Sequence, residues 1–225
     1  MFRQLLHFRS ILFILLGLSS GATAQNLTKH DWSVGEVILT DGDTLKGAVS
    51  YYFQKELIQV KNANGFIQTF SPVNVTHFRV FNEQRQEFQT FRPFRYAPNP
   101  EEPTFKTPAF FEVVTEGKYT LIKRSCYVIR NLDPVPAYAT HGQYYESYSV
   151  TRKKSDLNSY QLARLNAYFL YTPENKLIPL RHPKKNLEDL YQDKSVPMKA
   201  FIRQRNLSYK NPVALTRVVQ YFNHL

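Results

Sequence analysis

Gly35-Glu36-Val37-Ile38-Leu39-Thr40-Asp41-Gly42-Asp43-Thr44-Leu45-Lys46-Gly47-Ala48-Val49 sets two short apolar runs on either side of Asp-Gly. β-Branched and aromatic residues suit a pleated, half-buried surface. Asp-Gly between such runs marks a hairpin, because a type I′ turn needs positive φ at both central residues. The pattern repeats downstream. Glu56–Val60 and Phe66–Phe70 flank Asn64-Gly65. Val75–Phe81 alternates, with Thr76, Phe78 and Val80 on one face, and Glu87–Phe91 can pair with it. Phe110–Val114 and Tyr119–Ile122 flank Glu116-Gly117, and Asn166–Leu170 with Leu177–Leu180 form a last hairpin. Strands of about five or six residues with turn chemistry between them predict a mainly β (α+β) chain. The expected architecture is an antiparallel meander forming a small barrel or sandwich.

Two stretches interrupt the meander. Residues 92–108 hold five prolines, which lack a backbone donor, and read as an exposed loop. Residues 131–160 read as a second long loop, rich in Tyr, Ser and charge. After residue 182 the apolar period changes. Leu187, Leu190 and Tyr191 share a helical spacing, as do Met198, Phe201 and Ile202. Asn211-Pro212 supplies an N-cap followed by proline at the first helical position. Leu215, Val218, Val219 and Phe222 then form one stripe. Two or three short helices are expected to pack on the sheet, so the organisation is 1–24 leader, 25–182 β-domain and 183–225 helical region.

The leader reading rests on Arg3 and Arg9, the apolar run Ile11–Leu18 and the small residues Ser19–Ala24. Basic, apolar and A-x-A segments in that order describe a secretory signal, cleaved here after Ala24. The apolar run falls short of the roughly 20 residues of a membrane span, and no later segment is long and apolar enough. The expected location is therefore periplasmic or extracellular. Cys126, the single cysteine, has no partner within the chain. It reads as a small apolar strand residue.

Charge is unevenly placed. The chain carries 29 Lys+Arg against 18 Asp+Glu. Residues 25–149 are balanced at thirteen each, whereas residues 150–225 hold fourteen basic and five acidic residues, an excess of nine. Such an asymmetry points to an anionic partner. Outside the cytoplasm that means a lipid head group, lipopolysaccharide, an acidic glycan or an acidic protein; nucleic acid is not expected. The candidate contacts are Lys184, Lys185, Lys199, Arg203, Arg205 and Lys210, with the alternative that they form a solvated helix face. Tyr144, Tyr145 and Tyr148 cluster in the second loop. Exposed tyrosines bury much area at low entropic cost, so this loop is either a binding surface or a segment folded back on the sheet.

Catalytic signatures are missing. No G-x-S-x-G, P-loop or dinucleotide glycine pattern occurs, and no pair of histidines has zinc-ligand spacing. Asp41-Gly42-Asp43-Thr44 offers too few oxygens for calcium and reads as a turn. Glu101/Glu102 and Glu112/Glu116 are the nearest carboxylate pairs. No metal or cofactor is expected.

The Gly35–Gly47 hairpin, the leader ending Ala24-Gln25 and the tail Val218–Asn223 together resemble exported proteins of Bacteroidota to which no activity is assigned. The resemblance implies an envelope location, and Asp43-Thr44-Leu45 would match an O-glycosylation tripeptide of that group. The leading expectation is a non-enzymatic envelope binding module that docks an anionic component through its basic C-terminal region. The alternatives are an envelope hydrolase using His141 with Glu146 on glycan or peptide, and a structural subunit of an envelope assembly.

Overall fold

The computed structural model describes residues 29–99, 101–131, 146–151 and 160–225, with backbone alone for 126–131, 146–151 and 160–164. Eleven strands form one antiparallel sheet: β1 (Lys29–Leu39), β2 (Thr44–Tyr52), β3 (Leu57–Lys61), β4 (Ile67–Phe70), β5 (Val75–Asn82), β6 (Glu87–Tyr96), β7 (Thr107–Thr115), β8 (Thr120–Asn131), β9 (Glu146–Thr151), β10 (Tyr160–Tyr171) and β11 (Leu177–Pro179). Their spatial order is β11-β10-β8-β7-β6-β5-β1-β2-β3-β4, and β9 also pairs with β10. Three helices follow: α1 (Pro183–Leu190), α2 (Ser195–Gln204) and α3 (Pro212–His224). The meander and the terminal helices are as expected. The closed barrel or two-sheet sandwich is not, because the sheet is single and open.

The sheet is nevertheless strongly curled. Tyr51 on β2 and Phe110 on β7 lie four strands apart, which on a flat sheet is about 19 Å. Their ring centroids are 5.6 Å apart, edge to face. Curling brings Trp32, Val37, Val49, Tyr51, Phe78 and Phe91 into a first core with Phe110. On the same face, at the other end of the sheet, Leu121, Tyr168 and Leu170 meet Leu187, Met198, Leu215, Val218, Val219 and Phe222 of the helices. Phe111, Ile122 and Phe169 form a small third cluster on the opposite face.

Several strands are longer than their sequence suggests. β1 has 11 residues and β8 and β10 have 12. Part of the presumed proline-rich loop is strand: β6 continues through Pro93 to Tyr96 and β7 starts at Thr107. Pro93 faces Phe110 across the ladder, beyond the last β5–β6 pair at Phe91. Its missing N–H therefore falls on a side without a partner strand, where proline is tolerated. Likewise β9 lies within the presumed 131–160 loop.

The turns also correct the expected geometry. Positive φ occurs at Gly42 and Gly65 but not at the residue before either, so no type I′ turn forms. Instead Gly42 N donates to Leu39 O and Leu39 N to Asp43 O, at 3.2 and 2.8 Å. Gly65 and Asn62 repeat this arrangement, as do Asn175 and Thr172. Each is a turn closed by one left-handed residue, the bulged alternative for a longer hairpin loop. Asp41 accepts from Asp43 N at 3.0 Å, so its carboxylate shapes the turn. Gly47 serves a different need: a Cβ there would lie 2.1 Å from Lys61 O.

The helices are joined to the sheet by a polar clasp as well as by apolar packing. Asn211 caps α3 by accepting from Ala214 N at 3.1 Å. At the other end Asn223 accepts from Tyr119 N and donates to Tyr119 O, both at 2.8 Å. The Tyr119 ring stacks on Phe222 at 4.7 Å. Replacing Asn223 by Ala leaves Tyr119 without both partners, at about 1–3 kcal/mol for the buried groups. The expected result is a melting temperature several degrees lower in thermal unfolding followed by circular dichroism.

Tyr191 and Tyr209 share a hydrogen bond between their hydroxyls. Burial raises both above the ordinary phenol range, and for Tyr209 the bond to Tyr191 adds to it. Burial together with the neighbouring Glu56 raises Tyr51 in the same direction. Each phenol is thus held neutral in the fold, while an unfolded tyrosine ionises near 10. Their stabilising contribution is complete below that pH and is lost as pH climbs above it. In an alkaline titration read by tyrosinate absorbance, these groups should ionise only with the loss of near-ultraviolet circular dichroism.

Candidate functional site

The described residues form a cleft of about 650 Å³. Its walls are the start of β1 (His30 to Ser33) and the β5–β6 hairpin (Phe81 to Arg85), and Glu112, Lys123 and Asn166 belong to its lining on β7, β8 and β10. Next to the lining residues Trp32 and Ser33, β1 carries a register shift between Trp32 and Gly35. The β5–β6 turn meets that segment, with Ser33 Oγ donating to Glu83 at 2.6 Å.

Glu112 and Lys123 are cross-strand partners and form an ion pair at 2.8 Å, with side chains 9% and 8% exposed. Buried charges cost several kcal/mol unless paired and hydrogen-bonded. Here Gln89 Nε2 donates to the second oxygen of Glu112 at 3.1 Å, and Asn82 Nδ2 donates to Gln89 at 3.1 Å. Beside them Ser125 donates to Asn166 at 2.6 Å. This polar band crosses the sheet between the first and second apolar cores. Trp32, 7% exposed, stacks against His30 at 4.3 Å. Its indole N–H has no hydrogen-bond partner among the described residues.

A second polar cluster holds the curled sheet in place. β7 and β8 pair only from Glu112 onward, so residues 107–111 of β7 have no ladder to β8. Glu56, in the β2–β3 turn with φ of 49°, bridges that opening. Its carboxylate accepts from Tyr51 Oη at 2.8 Å, Phe110 N at 2.9 Å and Arg124 at 2.8 Å. Arg124 in turn lies over the Tyr96 ring at 4.7 Å.

The charged candidates on the helices are separate from both clusters. Lys184, Lys185, Lys199, Arg203, Arg205 and Lys210 are all exposed, and none forms an ion pair among the described residues. Arg205 rests over the Phe201 ring at 5.8 Å. Tyr144, Tyr145 and His141 lie outside the described residues, and for Tyr148 and Glu146 only the backbone is described, in β9. The carboxylate pair Glu112/Glu116 is divided: Glu112 binds Lys123 and Glu116 binds Arg92 at 2.8 Å. No group of three His, Cys, Asp or Glu able to hold a metal occurs among the described residues. No described helix is long and apolar enough to cross a membrane.

Sequence reasoning missed Glu56, Arg124 and the Glu112–Lys123 pair as structural centres. A signal for the pair was present. Glu112 interrupts Phe110-Phe111-Val113-Val114, and Lys123 follows Leu121-Ile122; charges inside such runs are buried only with a partner. Comparison with family models, with curated proteins and with solved structures returned no match.

Truncating Glu56 to Ala should be among the most damaging single changes. It strands Arg124, orphans Phe110 N and Tyr51 Oη, and costs about 3–5 kcal/mol on the scale of broken buried pairs. Urea unfolding of Glu56→Ala should show a midpoint far below the parent. Glu56→Gln should fall between them, because it keeps an acceptor but loses the charge.

Proposed function

We propose that this chain is an exported, non-enzymatic binding module of the cell envelope, docking on an anionic lipid surface through its helical region. The observation that carries the reading is the set of exposed helix-region cations with no ion pair among the described residues. Their arrangement supports it. Val196, Lys199 and Arg203 share one stripe of α2 by their spacing, and Val196 is 79% exposed. Val213, 62% exposed, and Arg217 lie one turn apart on α3. Exposed apolar side chains alternating with cations suit the boundary between head groups and acyl chains. Export is supported by the Arg3–Ala24 leader pattern, which also favours a lipid surface over nucleic acid as the polyanion.

Each cation near an anionic surface contributes about 1 kcal/mol, or a factor of about five. The test is co-sedimentation of the chain beginning at Gln25 with vesicles of phosphatidylcholine, with and without phosphatidylglycerol, at low and high salt. Binding should require the anionic lipid and weaken at high salt as screening shortens. Lys199→Ala with Arg203→Ala should reduce it by about 25-fold. Equal binding to both vesicle types, or binding untouched by the double substitution, removes the reading.

A further inference from the structure

The cleft between β1, the β5–β6 hairpin and the polar band is not needed for docking through the helices, and its chemistry differs from theirs. We infer that it binds a neutral, hydroxyl-rich ligand of the oligosaccharide class.

Size comes first. A volume of about 650 Å³ lies within the usual range of ligand pockets, roughly 300–1,000 Å³. Charge comes second. The lining carboxylates Asp31, Glu83 and Glu112 stand against Arg85 and Lys123, and each is already engaged. Asp31 binds Lys29 at 2.9 Å, Glu83 accepts from Ser33, Glu112 binds Lys123, and Arg85 reaches Glu87 at 3.6 Å. A charged ligand would have to compete with these pairs, whereas a neutral polyol would not.

Donor and acceptor supply comes third. Gln84 and Asn166 add side-chain amides to the lining, each offering both donor and acceptor. Lys123 has Glu112 as its one acceptor among the described residues, leaving ammonium N–H groups to share. Trp32 also belongs to the lining, although its indole N–H is itself closed to solvent. A hydroxyl is donor and acceptor at once, so closely spaced hydroxyls match this mixed lining. The half-buried Phe81 ring gives the cleft an apolar surface on which the C–H face of a sugar can rest.

Trp32 is the single tryptophan of the chain and lines the cleft, so its emission reports occupancy directly. The experiment titrates the chain beginning at Gln25 with neutral gluco-, manno-, xylo- and chito-oligosaccharides, following tryptophan fluorescence. At least one series should give a saturable change that is the same at low and high salt, which separates it from the helix-face docking. Two variants locate it. Gln84→Phe fills the mouth from an exposed turn position and leaves the buried pair alone. Glu112→Gln with Lys123→Met removes both charges together, so neither is stranded. Retained circular dichroism with affinity lowered at least tenfold in both supports the cleft. No fluorescence response to any of the four series overturns the proposal. So does binding that survives Gln84→Phe, or, should the double variant fail to fold, binding that Gln84→Phe alone leaves unchanged.

Discussion

The Glu56 carboxylate is the point on which this architecture depends. A curled sheet that does not close leaves backbone donors facing an opening, and an unsatisfied buried N–H is costly. Pro93 and Phe110 show how the opening is managed. Pro93 has no N–H to leave unpaired, and the N–H of Phe110 is taken by Glu56 at 2.9 Å. The same carboxylate draws in Arg124 from β8 and the phenol of Tyr51 from the first core. One side chain in a turn therefore replaces part of a ladder. The Tyr96 ring, 4.7 Å from the guanidinium of Arg124, gives that charge a second contact.

The second organising feature is the polar band. Phe110, Glu112 and Val114 alternate along one face of β7, yet Phe110 belongs to the first core and Val114 to the second. Glu112 and Lys123 sit between them and divide what would be one apolar face into two. An ion pair in such a place contributes little net stability compared with packed apolar residues. It does mark one register: Glu112 faces Lys123 beside the bulge between Val113 and Thr115.

Much of this was legible in the chain. Hairpins at Gly42, Gly65 and Asn175, and the capped start of α3 at Asn211, follow from local chemistry and appear where the residues place them. What local reading could not supply was closure. Whether a meander seals into a barrel depends on contacts between residues far apart, such as Tyr51 with Phe110 or Glu56 with Arg124. Nor could it supply the true ends of β6 and β10. Proline demotes a strand only where its missing donor would be used, and Pro93 sits where it is not. The cleft was hidden for the same reason: its lining comes from β1, β5, β6, β7, β8 and β10 together.

The clasp between Asn223 and Tyr119 joins residues 104 positions apart. The two halves of the molecule consequently become foldable at different moments as the chain is made from its N-terminus. Every residue of the first core lies between Trp32 and Phe110, so that half can consolidate early. The second core draws on Leu121 and on Leu215 to Phe222. Its strands must wait, with apolar faces bare, until nearly the whole chain has emerged. Chaperone protection during synthesis would therefore be needed chiefly by the faces bearing Leu121, Tyr168 and Leu170, and for an interval set by how long the last helix takes to arrive.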